Sequence, residues 1–135
     1  MSEIRLFYRE NNRLKISKDI ASLKQISLNN ILWIDLNDVP EDAESELEQF
    51  LKIYIQEEEE MEEIEISSRY IETEDTLVAN SRFLLDNYEE EPISFIVKNN
   101  ILVSVRSQEL RSFNETVKKM FANPRNYPNG YYILV

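Results

Sequence analysis

The chain has 135 residues, 42% of them apolar and 10% aromatic, which is enough for one domain with a hydrophobic core and well above a disordered composition. Its formal net charge of −11 argues against a nucleic-acid partner, because phosphate binding needs clustered Lys and Arg and here they are scattered. The absence of cysteine and histidine excludes disulfides, thiolate and imidazole chemistry and structural zinc, and a single glycine, Gly130, excludes Walker and dinucleotide-binding loops.

No apolar stretch at the N-terminus resembles a signal peptide, and no apolar run is long enough to cross a bilayer, so the chain reads as soluble. IRLFYRENNRLKIS predicts a β-hairpin: apolar residues alternate on both sides of Glu10-Asn11-Asn12, and asparagine tolerates the positive φ of a tight turn. A short helix is expected within Ile20 to Leu28. The compact run Ile31 to Leu36, which holds the only tryptophan, predicts a buried central strand. Asp38-Val39-Pro40-Glu41 reads as a helix start, with Asp38 as N-cap and Glu41 closing a capping box. Ala43, Leu47, Phe50, Leu51 and Tyr54 then lie along one face of an α-helix that breaks near Lys52 to Ile55.

The next stretch, QEEEEMEEIE, packs seven glutamates into ten residues, with Met61 and Ile64 three apart as a narrow apolar stripe. It predicts a helix strained by like charges at i,i+4. Strands are expected at Ser67 to Thr73 and Leu77 to Asp86. Ile93 to Lys98 and Ile101 to Arg106 predict two more, joined by a type I′ turn at Asn99-Asn100 and apolar on both faces, as in a sheet covered on both sides. Leu110, Phe113, Val117, Met120 and Phe121 mark the apolar face of a last helix. The ending Tyr131-Tyr132-Ile133-Leu134-Val135 reads as an apolar element begun and not finished, as in a piece of a longer protein.

Twelve acids and one base, Lys52, lie between Glu41 and Glu65, so this block holds the whole excess charge and the rest of the chain is neutral. Cations or basic surfaces are the partners this pattern suits. A solvated helix face accounts for most of the glutamates. Some could also serve a weak site for a hard cation, since Mg²⁺ keeps several waters and needs only one or two carboxylates from each side of a contact. The spaced Asp, Asn and glycine of an EF-hand are absent. A carboxylate pair drawn from Asp35 or Asp38 is the one route to catalysis, but nothing in the sequence reads as an oxyanion hole or an activated nucleophile, and a non-enzymatic function is expected.

The order of WIDLNDVPEDAESELEQFLKI, the acidic helix, EISSRYIETEDTLVANSRFLL and EPISFIVKNNILVSVRSQELRSFNETVKKM resembles the N-terminal cytoplasmic domain of CorA-type magnesium and cobalt transporters. The resemblance implies an α/β fold, a three-layer α/β/α sandwich with a mixed sheet, over residues 1–135 as a single domain that stops before a stalk helix and transmembrane segments. It implies a homopentamer in the full-length protein, touching the membrane only through those further helices, with this domain on the cytoplasmic face of the cell membrane and a monomer or weak oligomer when alone. It also implies regulatory Mg²⁺, or Co²⁺, bound weakly between subunits by an acidic pair after the first helix. Counted from Phe50-Leu51-Lys52-Ile53, that pair falls at Glu59 and Glu60, with Glu63 as a further candidate. The family's Gly-Ile-His-Pro turn reads Lys52-Ile53-Tyr54-Ile55 here, and its Arg-Pro-Lys reads Ser67-Ser68-Arg69. A reading from a different class is a stand-alone acidic adaptor that presents Glu41 to Glu65 to a basic protein.

Overall fold

A computed structural model describes residues 3–53, 70–72, 76–84, 90–107, 110–127, 130 and 133. The described strands form one seven-stranded sheet: β1 (Glu3–Glu10), β2 (Arg13–Ser17), β3 (Ile31–Asn37), β4 (Tyr70–Glu72), β5 (Thr76–Leu84), β6 (Glu90–Lys98) and β7 (Ile101–Arg106), in the order β2-β1-β3-β7-β6-β5-β4. All neighbours pair antiparallel except β3 and β7, which run parallel. The sheet is therefore mixed, with β3 inside it as its composition requires. Helix α1 (Glu41–Leu51) packs on one face and α2 (Arg111–Ala122) on the other, which gives the three-layer α/β/α sandwich.

Alternation along β3 divides the core between the two faces. Ile34 and Leu36 join Leu6, Leu47, Leu51, Ile96, Val103 and Val105 beneath α1. Trp33 turns to the opposite side, with Phe7, Ile93, Leu102, Phe113 and Met120 beneath α2. Every residue of β3 and β7 is buried, so these strands lack the polar alternation of a half-solvated sheet. The aromatic side is tightly built: the Phe7 and Trp33 rings stack at 4.8 Å and 20°, and Phe113 approaches Trp33 at 5.6 Å.

Both predicted hairpin turns are present, the first on Asn11-Asn12 alone because Glu10 belongs to β1. Asn11 and Asn12 have φ of 53° and 64°, Asn99 and Asn100 of 51° and 66°, as a type I′ turn requires. The segment after β2 forms a 3-10 helix, Ile20–Gln25, started by the Asp19 carboxylate accepting from the Ala21 amide at 3.0 Å. β4 and β5 lie within or beside the expected strands, whose remaining residues are outside the described ones, as are Tyr54 and the predicted acidic helix with Met61 and Ile64.

Two local expectations are corrected. Asp38 does not occupy the cap position of α1. It sits in the left-handed region at φ 52° and turns the chain out of β3, its amide held by the Arg106 carbonyl at 2.7 Å, so the cap position falls on Pro40. The Pro40 carbonyl accepts from Ala43 and Glu44 at 3.1 and 3.2 Å. Phe121 shares the helical spacing of the core residues, yet it is 43% exposed, because Val117, Met120 and Phe113 already fill the interface.

At the other end of α1, Lys52 adopts the left-handed conformation at φ 57°, and the Ile53 amide reaches back to the Glu48 carbonyl at 3.1 Å, closing a Schellman-type stop. Lysine pays here for a Cβ that glycine lacks. Lys52→Gly is expected to stabilise the chain by about 0.5–1 kcal/mol and raise Tm by about 2–5 °C, measured by thermal melt. Gly130 is the reverse case. A Cβ on it would lie 2.7 Å from the Leu32 carbonyl oxygen and 2.8 Å from the Ile101 carbonyl carbon, and it would press on the Leu102 amide. All of these are backbone, so Gly130→Ala is expected to destabilise by about 1–3 kcal/mol in urea titration.

Candidate functional site

Pairing of β1, β3 and β7 sets Arg5 beside Asp35 and Asp35 beside Ser104, one row of the sheet on the α2 side, and sets Arg106 beside Asn37 in the next row. Asp35 is 1% exposed, Arg106 4% and Arg5 8%. The Asp35 carboxylate is the hub. Oδ1 accepts from Ser104 Oγ at 2.8 Å and Arg106 Nε at 3.1 Å, and Oδ2 accepts from Arg106 Nη2 at 2.7 Å and from Arg5 Nη2 and Nε at 2.8 and 3.2 Å. Arg106 thus grips both oxygens with its fork, the strongest geometry for this pair. Ser104 in turn accepts from Trp33 Nε1 at 2.8 Å, which satisfies the buried indole.

Helix α2 closes over this cluster. Arg5 Nη1 donates to Asn114 Oδ1 at 3.1 Å, and the Arg106 guanidinium lies 4.8 Å from the centre of the Phe113 ring. Glu3, 3.7 Å from Arg5 Nε, brings a second carboxylate to the rim, so two guanidiniums face two acids. With both oxygens of Asp35 engaged inside the core, its role is to join three strands and a helix, and the carboxylate-pair route to catalysis loses one of its two candidates.

The candidate cation ligands Glu59, Glu60 and Glu63 lie outside the described residues, and the chain's exit toward them is well defined. Lys98 Nζ donates to the Lys52 carbonyl at 2.7 Å, placing a positive charge at the C-terminal end of α1, where the helix dipole favours it. That contact, the left-handed Lys52 and the bonded Ile53 amide define the C-terminal end of α1. Among the described residues, no group of three or more Asp or Glu is arranged to hold a metal ion, and no helix is long and apolar enough to cross a membrane.

Sequence reasoning named Asp35 and missed its partners. The available signal was a charged residue within each of two otherwise apolar strands, WIDL and ILVSVR, since an acid in one and a base in the other can be buried together only as a pair.

The model of the CorA-like Mg²⁺ transporter protein family matches residues 29–135. The chain belongs to this family. The magnesium transport protein CorA of Wolinella succinogenes is 38% identical over 117 residues, covering 80% of this chain and 36% of that protein. The CorA of Campylobacter jejuni strain RM1221 is 33% identical, covering 90% of this chain and 40% of its own length. The chain therefore spans about two fifths of the curated CorA relatives it matches. The structure of the CorA magnesium transporter from Methanocaldococcus jannaschii superposes with a TM-score of 0.60 at 16% identity, over 90% of this chain and 38% of that one, which extends the likeness to the fold.

If Asp35 holds the CorA-like sheet together, Asp35→Ala should take from two buried guanidiniums the carboxylate they share and cost about 3–5 kcal/mol in urea unfolding followed by Trp33 fluorescence. Replacing the cluster together, as Arg5→Met, Asp35→Leu and Arg106→Met, should recover most of that loss, because no charge is then stranded.

Proposed function

We propose that this chain is the cytoplasmic, ion-sensing domain of a CorA-type divalent-cation transporter, positioned on the cytoplasmic face of the cell membrane ahead of a stalk helix and membrane-spanning helices. In the full-length homopentamer, Mg²⁺, or Co²⁺ in its place, binds weakly between subunits at Glu59 and Glu60, with Glu63 beside them, and favours the closed channel.

The observation that carries this reading is the distribution of charge in a chain of the CorA-like family: the entire excess of −11 lies between Glu41 and Glu65. Cations bound between such a block and a neighbour offset its repulsion. At a concentration equal to Kd, one bound ion favours the binding-competent arrangement by about 0.4 kcal/mol, and five equivalent sites by about 2 kcal/mol. Weak individual sites therefore bias a ring when they act together, and release it as the Mg²⁺ concentration falls. The hard-oxygen chemistry of glutamate suits Mg²⁺, and the absence of Cys and His leaves oxygen as the donor type.

Titration of Mg²⁺ into the 135-residue chain, followed by amide NMR, tests the site. Larger shifts are expected at Glu57 to Glu63 than at the Asn99-Asn100 turn, and they should be reduced in Glu59→Gln/Glu60→Gln. Equal shifts at both places would remove the site. Tight binding of a Lys-rich peptide by this block, unaffected by Mg²⁺, would favour the acidic adaptor.

A further inference from the structure

We propose that the carboxyl ends of the two parallel strands hold a site for inorganic phosphate, formed by the first turn of α2 and the side chain of Asn37. Strand β3 leads into α1 on one face of the sheet, and β7 leads into α2 on the other. Adjacent parallel strands whose connections part in this way leave a crevice beyond their carboxyl ends, which is where α/β sheets commonly bind ligands.

Helix α2 runs back along the strands. Met120 packs with Phe7 and Trp33, and Asn114 accepts from Arg5 in the Asp35 row, so the residues that start the helix reach the next row, that of Asn37 and Arg106. Leu110 holds the cap position and gives no side-chain hydrogen bond there, and the amides of Arg111 and Ser112 have no partner among the described residues. Such amides project from the helix start with the positive end of its dipole behind them. Arg111 and Ser112 are both exposed, so a guanidinium and a hydroxyl stand beside the two amides. Helix α1 supplies acids to its own first turn, Glu41, Asp42 and Glu44, whereas the first turn of α2 has none.

Asn37 selects among anions. It follows Asp35 by two residues and so faces the α2 side, it is 6% exposed, and its Oδ1 has no hydrogen-bond partner. A buried amide oxygen without a donor is costly, and an O–H on the ligand would satisfy it. The ligand this arrangement fits therefore carries negative charge for the amides of α2 and an O–H for Asn37. Inorganic phosphate has both at neutral pH, since it keeps at least one protonated oxygen. Sulfate has no such oxygen, and a phosphate monoester, with a second pKa of about 6, has mostly lost its own by about pH 7. Glu109, two residues before Arg111 in the sequence, and the net charge of −11 both oppose an anion, so a Kd of about 1–10 mM is expected.

The test is amide NMR of the 135-residue chain at about pH 7, with sodium phosphate, sodium sulfate or glucose 6-phosphate replacing chloride at constant ionic strength. Divalent cations are left out, which separates the result from any cation site at Glu59 and Glu60. Phosphate should give saturable shifts at Arg111, Ser112 and the Asn37 side-chain amide, and sulfate and the monoester should bind about threefold or more weakly. Arg111→Pro removes one free amide and one guanidinium at a position where proline suits a helix start, and it should weaken phosphate by about tenfold. Asn37→Leu removes only the orphan oxygen and its amide, so it should keep the cooperative melt of Trp33 fluorescence and bind phosphate and sulfate alike. Shifts spread over the surface and unsaturated at about 50 mM would mean an adventitious ion only and overturn the proposal. Equal binding of phosphate and sulfate by the parental chain, unchanged affinity in Arg111→Pro, or a preference for phosphate that survives Asn37→Leu would overturn it as well.

Discussion

Most of the architecture depends on one carboxylate placed between two guanidiniums. Asp35 lies in β3, Arg5 in β1 and Arg106 in β7, and these atoms meet only if the three strands pair in a single register. A slip of one residue in either ladder would turn a charge into the aliphatic core beneath α1. Apolar contacts in β3 and β7 would tolerate several registers, because both strands are apolar on both faces; the ions do not. Asn114 and Phe113 extend the same constraint to α2, so the position of a helix on the sheet is set by polar geometry as well as by packing. A buried ion cluster of this kind adds little net stability relative to apolar residues, and its benefit here is the uniqueness of the arrangement it enforces.

Much of the fold was legible in the sequence because its signals are local. Asn-Asn pairs flanked by apolar alternation gave both hairpins, and the 3.6-residue spacing of Leu47, Leu51, Phe113 and Met120 located both helices. Misreadings arose where two local rules competed. Asp38 satisfies the residue preference of an N-cap and equally that of a left-handed turn, and its amide bond to Arg106, 68 positions away, decides for the turn. Phe121 has core spacing, but it stands at the edge of a sheet face already filled by other aromatics. An acid in one apolar strand and a base in another hinted at a buried pair, but the geometry of the ion cluster was hidden for a stronger reason. Its members are 30 and 71 residues apart, and only strand order and register bring them together. The candidate cation site was reached through family resemblance, since a run of glutamates reads the same whether it binds an ion or only water.

Charge is sorted by layer as well as by sequence. The charged residues of helix α1 are all acids and those of α2 mainly bases, while the sheet between them holds its own ions in a balanced, enclosed group. Solvent ions therefore meet an electrically polarised surface, and the enclosed cluster is insulated from them. In the CorA reading this separation is useful: the surface can respond to cation concentration without disturbing the contacts that define the fold.

The parallel seam between β3 and β7 has a kinetic consequence. The β1–β2 and β6–β7 hairpins close over two residues, but Ile34 reaches Val103 only after a loop of about 70 residues closes, an entropic cost of about 4 kcal/mol beyond the length-independent part. Among the described strand pairings the seam therefore carries the largest loop-closure cost, set by topology rather than by weak contacts. The seven glutamates between Glu57 and Glu65 fall inside that loop and repel one another while it is still open. Added salt or Mg²⁺ shortens the reach of this repulsion, so the ionic medium lowers the electrostatic part of the cost of bringing the two halves of the sheet together.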